Sequence, residues 1–421
     1  MNIKKFLIIG GWLLSTQGVA QTALTIEQCY DLARQNFPLI HQKDLVIQSK
    51  DYSIANARAG FMPQVSINGQ ATYQSDVTRV PLEVPGFQIQ SLSKDQYKVY
   101  AEVSQSLYDG GTIKRQSALQ ESNAQVEDQR VEVELYKIKE RINQIYFGAL
   151  LINEQLVQTD LIKKDLESSL AKMESAIRNG TAFKTNADIL HAELLKTEQR
   201  VIELKSTRKS YLDMLGLFIH QEVDERTSLT KPVLAPTTDE KALARPELSL
   251  YNFQSQLLSA QYQLNNTRVL PRVSLFVQGG YGKPGLNMLL NQFDTYYIGG
   301  IRFNWNLSGF YNSKRDHQLL DINLQSVSLQ KEAFVFNTNL SLRQQNNDLN
   351  KLRELIRVDE QLIELRTRIK TTSKSQLENG VITANDYLRE LNAEDQAKQN
   401  LSLHQIQMIM THYNYQVTSG N

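Results

Sequence analysis

Proline is missing from residues 86–231 and again from the whole chain after Pro284. Proline breaks an α-helix by removing a hydrogen bond and crowding the preceding turn. Tracts that long therefore leave room for helices far beyond ordinary length. Within them, 112–178 and 312–378 carry a single glycine, Gly148, in two runs of 67 residues. At about 1.5 Å per residue each such helix is roughly 100 Å long. The expected molecule is elongated.

The apolar positions support helices packed side by side. In the first tract they follow a heptad: Leu135, Ile138, Ile142, Ile145, Ala149, Ile152 and Leu156, then Leu166, Leu170, Met173 and Ile177, interrupted at Thr159 and Lys163. In the second, Leu342, Leu349, Ile356 and Ile363 form one seam, and Leu355, Leu362 and Ile369 another. Heptads give left-handed coiled packing, and two seams predict neighbours on two sides. The polar faces, such as Lys163, Lys164, Asp165 and Glu167, suit either a solvated outer surface or a water-filled lumen.

The chain also repeats itself at a period near 200 residues. Pro38 and Pro63 are spaced like Pro246 and Pro271, and each second proline opens a strand pattern ending at Tyr73 or Tyr281. Lys114-Arg115 matches Lys314-Arg315, and Asn179-Gly180 matches Asn379-Gly380. Thr185 to Asp188 is matched to Thr383 to Asp386. Each copy reads helix, strand, strand, very long helix, Asn-Gly turn, helix. The expected organisation is a signal at 1–20, a first repeat at 21–219, a connector at 220–246 and a second repeat at 247–418.

Four strands are expected, at 64–73, 95–107, 272–281 and 295–307. They alternate: Val65, Ile67, Gly69, Ala71 and Tyr73 oppose Ser66, Asn68, Gln70 and Thr72, and Phe276 breaks the pattern of the third. Strands of this length with aromatics toward their ends fit an outer-membrane barrel, although alternation alone also suits a soluble sheet with one wet face. The N-terminus favours the barrel. Lys4 and Lys5, the apolar stretch Phe6 to Leu14 and Gly18-Val19-Ala20 read as a secretory signal cleaved after Ala20. No later stretch is apolar enough for a membrane helix.

Composition excludes several classes. Lys+Arg number 46 against 45 Asp+Glu, a balance that gives nucleic acid no electrostatic foothold. The single cysteine, Cys29, rules out an internal disulfide or a cysteine metal cluster, and it reads as a small buried residue. The six histidines form no metal motif, and no phosphate-binding or nucleophile-elbow motif occurs. No cofactor, metal or enzymatic activity is expected.

In this order, with the duplication and the export signal, several phrases carry a family likeness. They are Leu24-Thr25-Ile26-Glu27-Gln28-Cys29-Tyr30-Asp31-Leu32-Ala33, Gln105-Ser106-Leu107-Tyr108-Asp109-Gly110-Gly111, Trp305-Asn306-Leu307-Ser308-Gly309 and the two Asn-Gly turns. The sequence resembles the outer-membrane efflux protein family, the TolC-like outer membrane factors. The resemblance implies a mainly α fold with a membrane β-barrel: a homotrimer with a twelve-stranded β-barrel and a periplasmic coiled-coil α-barrel. It implies a passive duct in the cell outer membrane, serving a tripartite efflux or type I secretion system with a periplasmic membrane fusion (adaptor) protein and an inner-membrane pump. Barrel closure points the same way, because four strands leave open edges that lipid does not tolerate. The alternative is an exported, non-conducting coiled-coil scaffold or adhesion protein.

The resemblance further implies that the helix–turn–helix tips dock the adaptor. They fall at Asn179, Gly180, Thr181 and Ala182, and at Asn379, Gly380, Val381 and Ile382. Independently of that role, Asn-Gly suits the left-handed backbone that ends a helix. Thr185 with Asp188, and Thr383 with Asp386, are expected to cap the returning helices as variant capping boxes. Glu378 is the nearest acidic candidate for a gate.

Overall fold

The computed structural model describes residues 23–78, 91–234 and 242–421. The expected signal at 1–20 lies outside the described residues. Eleven principal elements follow in chain order: α1 (Ile26–Asn36), α2 (Gln42–Arg58), β1 (Gln64–Tyr73), β2 (Asp95–Tyr108), α3 (Thr112–Arg178), α4 (Lys184–Ile219), α5 (Pro246–Asn266), β3 (Arg272–Lys283), β4 (Asp294–Asn304), α6 (Gly309–Glu378) and α7 (Ala384–Ser419). The chain forms two compact units, one from residues up to 37 with 138–240 and 343–417, the other from 38–137, 241–342 and 418–421.

The first unit is helical. It holds α1, α4, α7 and the C-terminal parts of α3 and α6. Thr25 opens α1 with a full capping box, exchanging hydrogen bonds with Gln28. The heptad of α3 is the spine of the core: Ile138, Ile142, Ala149, Leu166 and Met173 are buried. Of its two interruptions, Thr159 is buried and returns its hydroxyl to Gln155 O (2.7 Å), and Lys163 pairs with Glu198 of α4 (2.9 Å). Gly148 is a packing residue, since a Cβ there would stand 2.8 Å from the Tyr211 ring. Tyr146 is fully buried, and its hydroxyl donates toward Leu24 O (2.8 Å) and Thr230 O (2.7 Å), binding the start of the repeat to the connector. Cys29 is buried, and burial, followed by the charge of Glu27, pushes its thiol up to about 12. Of the two seams on α6, Leu349 is buried, whereas Leu355, Leu362 and Ile369 stay exposed.

The second unit carries the sheet, with α2, α5 and the N-terminal parts of α3 and α6. The strands run antiparallel in the order β1-β2-β3-β4. One central row is Ile67, Ala101, Gly279 and Tyr297. This register gathers Val65, Ile67, Val99, Val103, Val277, Tyr281, Ile301 and Phe303 on one face, all exposed. The other face carries Asn68, Gln70, Glu102, Gln278 and Arg302 together with Tyr100, Phe276 and Tyr296. β4 stops at Asn304 rather than at Leu307, because the Trp305 indole turns to donate to Val269 O (3.0 Å) and Asn306 receives the Ser308 N–H (3.1 Å). α6 then begins at Gly309, three residues earlier than the sequence pattern placed it. Among the described residues no helix is long and apolar enough to cross a membrane.

Candidate functional site

Both long helices end the same way. The N–H of Thr181 reaches Ala176 O (2.9 Å) and that of Gly180 reaches Ile177 O (3.0 Å). In α6, Val381 reaches Gln376 O (2.9 Å) and Gly380 reaches Leu377 O (3.1 Å). Each glycine has φ +72°. This is the paired hydrogen bonding of a Schellman cap, and the left-handed backbone is why glycine stands at both turns.

The returning helices start differently. At α7, Thr383 and Asp386 bond reciprocally: Asp386 N–H donates to Thr383 Oγ1 (3.3 Å), and Thr383 N–H donates to Asp386 Oδ2 (3.2 Å). In the first copy the expected cap at Thr185 and Asp188 does not form. Helix α4 already begins at Lys184, with Phe183 as an N-cap that makes no side-chain hydrogen bond. Thr185 and Asp188 therefore lie inside the helix. Counted from each glycine, Asn186 occupies the place of Asp386. Its side chain instead accepts the N–H of Ala384 (3.2 Å) and fastens one tip to the other.

The expected tip residues divide by burial. Asn179, Gly180, Thr181, Asn379, Gly380 and Val381 are exposed. Ala182 and Ile382 pack against a core that includes Leu166, Met173, Leu190, Leu377, Tyr387 and Leu391. The apolar side chains that the tips present to solvent are Val381, 70% exposed, and Phe183, 82% exposed. Phe183 was not among the expected tip residues, although reading one position past Ala182 reaches it.

Glu378 is paired: Lys172 Nζ donates to it at 2.7 Å across α3 and α6. The two residues line a cavity of about 270 Å³ with Ser169, Met173, Thr181 and Leu377. A larger charge network adjoins this core. Asp165 accepts from Lys370 (2.9 Å) and Lys374 (3.2 Å). Glu394 of α7 receives Lys398 (2.9 Å), Lys370 (3.3 Å) and the Thr367 hydroxyl (2.8 Å). Burial works against the charge on both carboxylates, yet these partners hold each below its ordinary value. Lys370 is likewise desolvated, and its carboxylate partners nonetheless hold it above the ordinary lysine value. Tyr387 is fully buried beside the network, and burial raises its hydroxyl. Asp165 is thus a cross-helix partner rather than part of a free polar face. No sequence pattern joins it to lysines more than 200 positions away.

A second polar centre lies on the sheet. Arg302 on β4 reaches over β3 to Glu102 on β2 with two bonds, 2.7 and 3.0 Å, and Gln278 on β3 adds a third (2.5 Å). The guanidinium stands 4.4 Å from the centre of the Phe276 ring. That contact accounts for the phenylalanine that broke the strand alternation. Glu102 and Arg302 are 200 apart, so the repeat itself places opposite charges at equivalent positions. Gly280 leaves room for the Tyr100 side chain and the Tyr296 ring, since a Cβ there would lie 2.7 Å from the Tyr100 Cβ and from the Tyr296 ring. Among the described residues no cluster of His, Cys, Asp or Glu could hold a metal ion.

Solved structures of outer-membrane channels share this fold. VceC of Vibrio cholerae matches with a TM-score of 0.67 and 12% identity over 94% of this chain and 96% of that one. The CmeC outer membrane channel of Campylobacter jejuni gives 0.63 and 12% over 94% and 85%. The open state of the Neisseria gonorrhoeae MtrE outer membrane channel gives 0.64 and 12% over 94% and 89%. No curated protein matches the sequence. Residues 29–215, most of the first repeat, match the family model described as outer membrane efflux protein. The resemblance read from the sequence is thus matched by the family model over the first repeat and by the fold over nearly the whole chain.

Proposed function

We propose that three copies of this chain form a passive duct through the outer membrane, extended into the periplasm by their helices. The chain is exported with cleavage after Ala20, and its repeats at 21–219 and 247–418, joined by 220–246, each supply two strands. The observation that carries this reading is the sheet. It pairs an exposed apolar face with a polar face bearing Glu102 and Arg302, and among the described residues β1 and β4 are its edges. Such edges are unstable in lipid, and three copies joined β4 to β1 remove them in a barrel of twelve strands. The exposed seam Leu355, Leu362 and Ile369 gives each copy an apolar surface for a neighbour.

The two tips dock a periplasmic adaptor, and through it an inner-membrane pump. Phe183 and Val381 offer the apolar contact, and the Schellman turns hold the backbone still beneath them. Glu378 with Lys172, and Asp165 with Lys370 and Lys374, act as gate ties that hold the helix pairs together. Two measurements test the reading: mass in detergent, and conductance in a planar bilayer. A stable monomer, or trimers that insert without conducting, would overturn it.

A further inference from the structure

The loop from Pro284 to Phe293 joins β3 to β4 and contains no charged residue, although Lys283 and Asp294 flank it. A turn closes at Asn287, whose carbonyl receives the Leu290 N–H (3.2 Å) and whose side chain receives the Leu289 N–H (3.0 Å). Around it Leu286, Met288, Leu289 and Leu290 stand 57, 57, 64 and 45% exposed. Large apolar side chains clustered so on a surface mark contact with something other than water.

The loop's anchors show which way it leans. Asn291 accepts both the N–H (3.1 Å) and the hydroxyl (2.7 Å) of Ser93 in the neighbouring hairpin. Phe293 stacks on Tyr281 (5.3 Å between centroids, 15° between planes) and on Tyr97 (6.3 Å, 28°). Both tyrosines belong to the apolar face of the sheet, since Tyr281 pairs with Val99 and Tyr97 with Ala71. The loop is therefore fixed on the apolar side and turned away from the Glu102–Arg302 side. Aromatic rings at the end of an apolar strand face are also the composition of a membrane–water boundary.

We propose that the β3–β4 loop is a membrane anchor, whose Leu286, Met288, Leu289 and Leu290 side chains enter the headgroup–acyl boundary of the outer leaflet. The partner is a lipid surface. The absence of charge in the loop lets it enter without desolvating an ion, and its attachment continues the apolar face into the boundary layer. This inference rests on the barrel reading of the sheet.

The test uses the full-length protein reconstituted in phosphatidylcholine vesicles, with a nitroxide label on Leu289→Cys and, separately, on Met288→Cys. Val99→Cys on the apolar face and Gln70→Cys on the polar face serve as references. Cys29 is buried and its thiol is pushed up to about 12, so it leaves the labelling unambiguous. The labels at 288 and 289 are expected to respond several-fold more strongly to dissolved oxygen than to a water-soluble nickel chelate, as the label at 99 does. If 288 and 289 respond mainly to the nickel chelate while 99 responds to oxygen, the anchor is refuted and the barrel stands. Spin–spin broadening between copies with both relaxants excluded would assign the loop to a protein contact and also refute the anchor. If the label at 99 responds to nickel as well, the barrel reading fails and the anchor fails with it.

Discussion

Phe183 opens α4 as an N-cap residue without a capping bond, in the extended backbone (φ −84°, ψ 139°) where Ser, Thr, Asp or Asn would bond the first turn. The equivalent residue of the second copy is Thr383, which does cap its helix. A local rule is thus broken at a position 82% exposed, with no gain in packing. Phe183→Asp separates the two explanations. On folding, an aspartate at this N-cap should be neutral or stabilising, by about 1 kcal/mol. On docking, burying a phenylalanine against a partner is worth about 1.5–3 kcal/mol. Its loss should weaken adaptor binding roughly tenfold to a hundredfold, at about 1.4 kcal/mol per factor of ten. Val381→Asp, at a site 70% exposed, should behave alike without the capping gain. Ala182→Asp is the contrast, because Ala182 packs on the buried core and a carboxylate there should lower stability itself, by about 1–3 kcal/mol. The assays are melting of the purified protein, site-specific crosslinking to the proposed adaptor and export from cells. Phe183→Asp protein that melts normally and still crosslinks and exports at the unaltered level would refute the docking role.

Four further outcomes are expected. Lys370, with a side chain 13% exposed, bridges Asp165 and Glu394, and Lys370→Met leaves Glu394 with Lys398 and Thr367 and Asp165 with Lys374, so it should cost about 1–3 kcal/mol, read from melting curves and from increased leak of bulky antibiotics. The carboxylates Asp165 and Glu394 sit below their ordinary values in the folded state, so their contribution is fully present above the ordinary carboxylate range and is lost as pH falls through the lowered folded values. Melting of the wild-type protein should therefore stay level from neutral pH down to that range and drop below it, a drop that Asp165→Asn should make smaller. Ile67→Arg, in the central row of the apolar face, should block assembly at a cost of about 2–4 kcal/mol, whereas Asn68→Arg on the polar face should assemble and change conductance. Gly380→Ala meets no atom within 4 Å, so its cost of about 1–2 kcal/mol comes from the backbone at φ +72° alone and should show as a lower melting temperature with docking intact.

Local patterns were legible wherever the chemistry that fixes them is local. The limits of α3 follow from Asp109, whose carboxylate receives Gly111 N–H (2.8 Å) and Ile113 N–H (2.7 Å), and from the glycine turn at its other end. β1 follows from alternation bounded by Pro63. The cap at Thr185 and Asp188 failed for an instructive reason. Thr185 and Asp188 stand 198 residues before Thr383 and Asp386, whereas the backbone keeps 200 from the glycine onward, so Asn186 rather than Asp188 takes the place of Asp386. The ties that hold the tips together were not legible. Asp165 with Lys370, and Lys172 with Glu378, join positions more than 200 residues apart, and either partner alone looks like an ordinary solvated charge.

The repeat narrows that gap, because equivalent positions meet on the sheet, across β3, and at the tips. Glu102 and Arg302 are such a pair, and a duplicated chain that has diverged to opposite charges at one position marks a contact between its halves. Asn186 shows the same logic at the other centre: freed from capping its own helix, it caps the equivalent helix of the second copy at Ala384. Duplication followed by complementary divergence thus turns two identical hairpins into two that bond to each other. The bonds lie on the polar face of the sheet and beneath the exposed tips, the two places where the proposed duct meets its cargo and its partner.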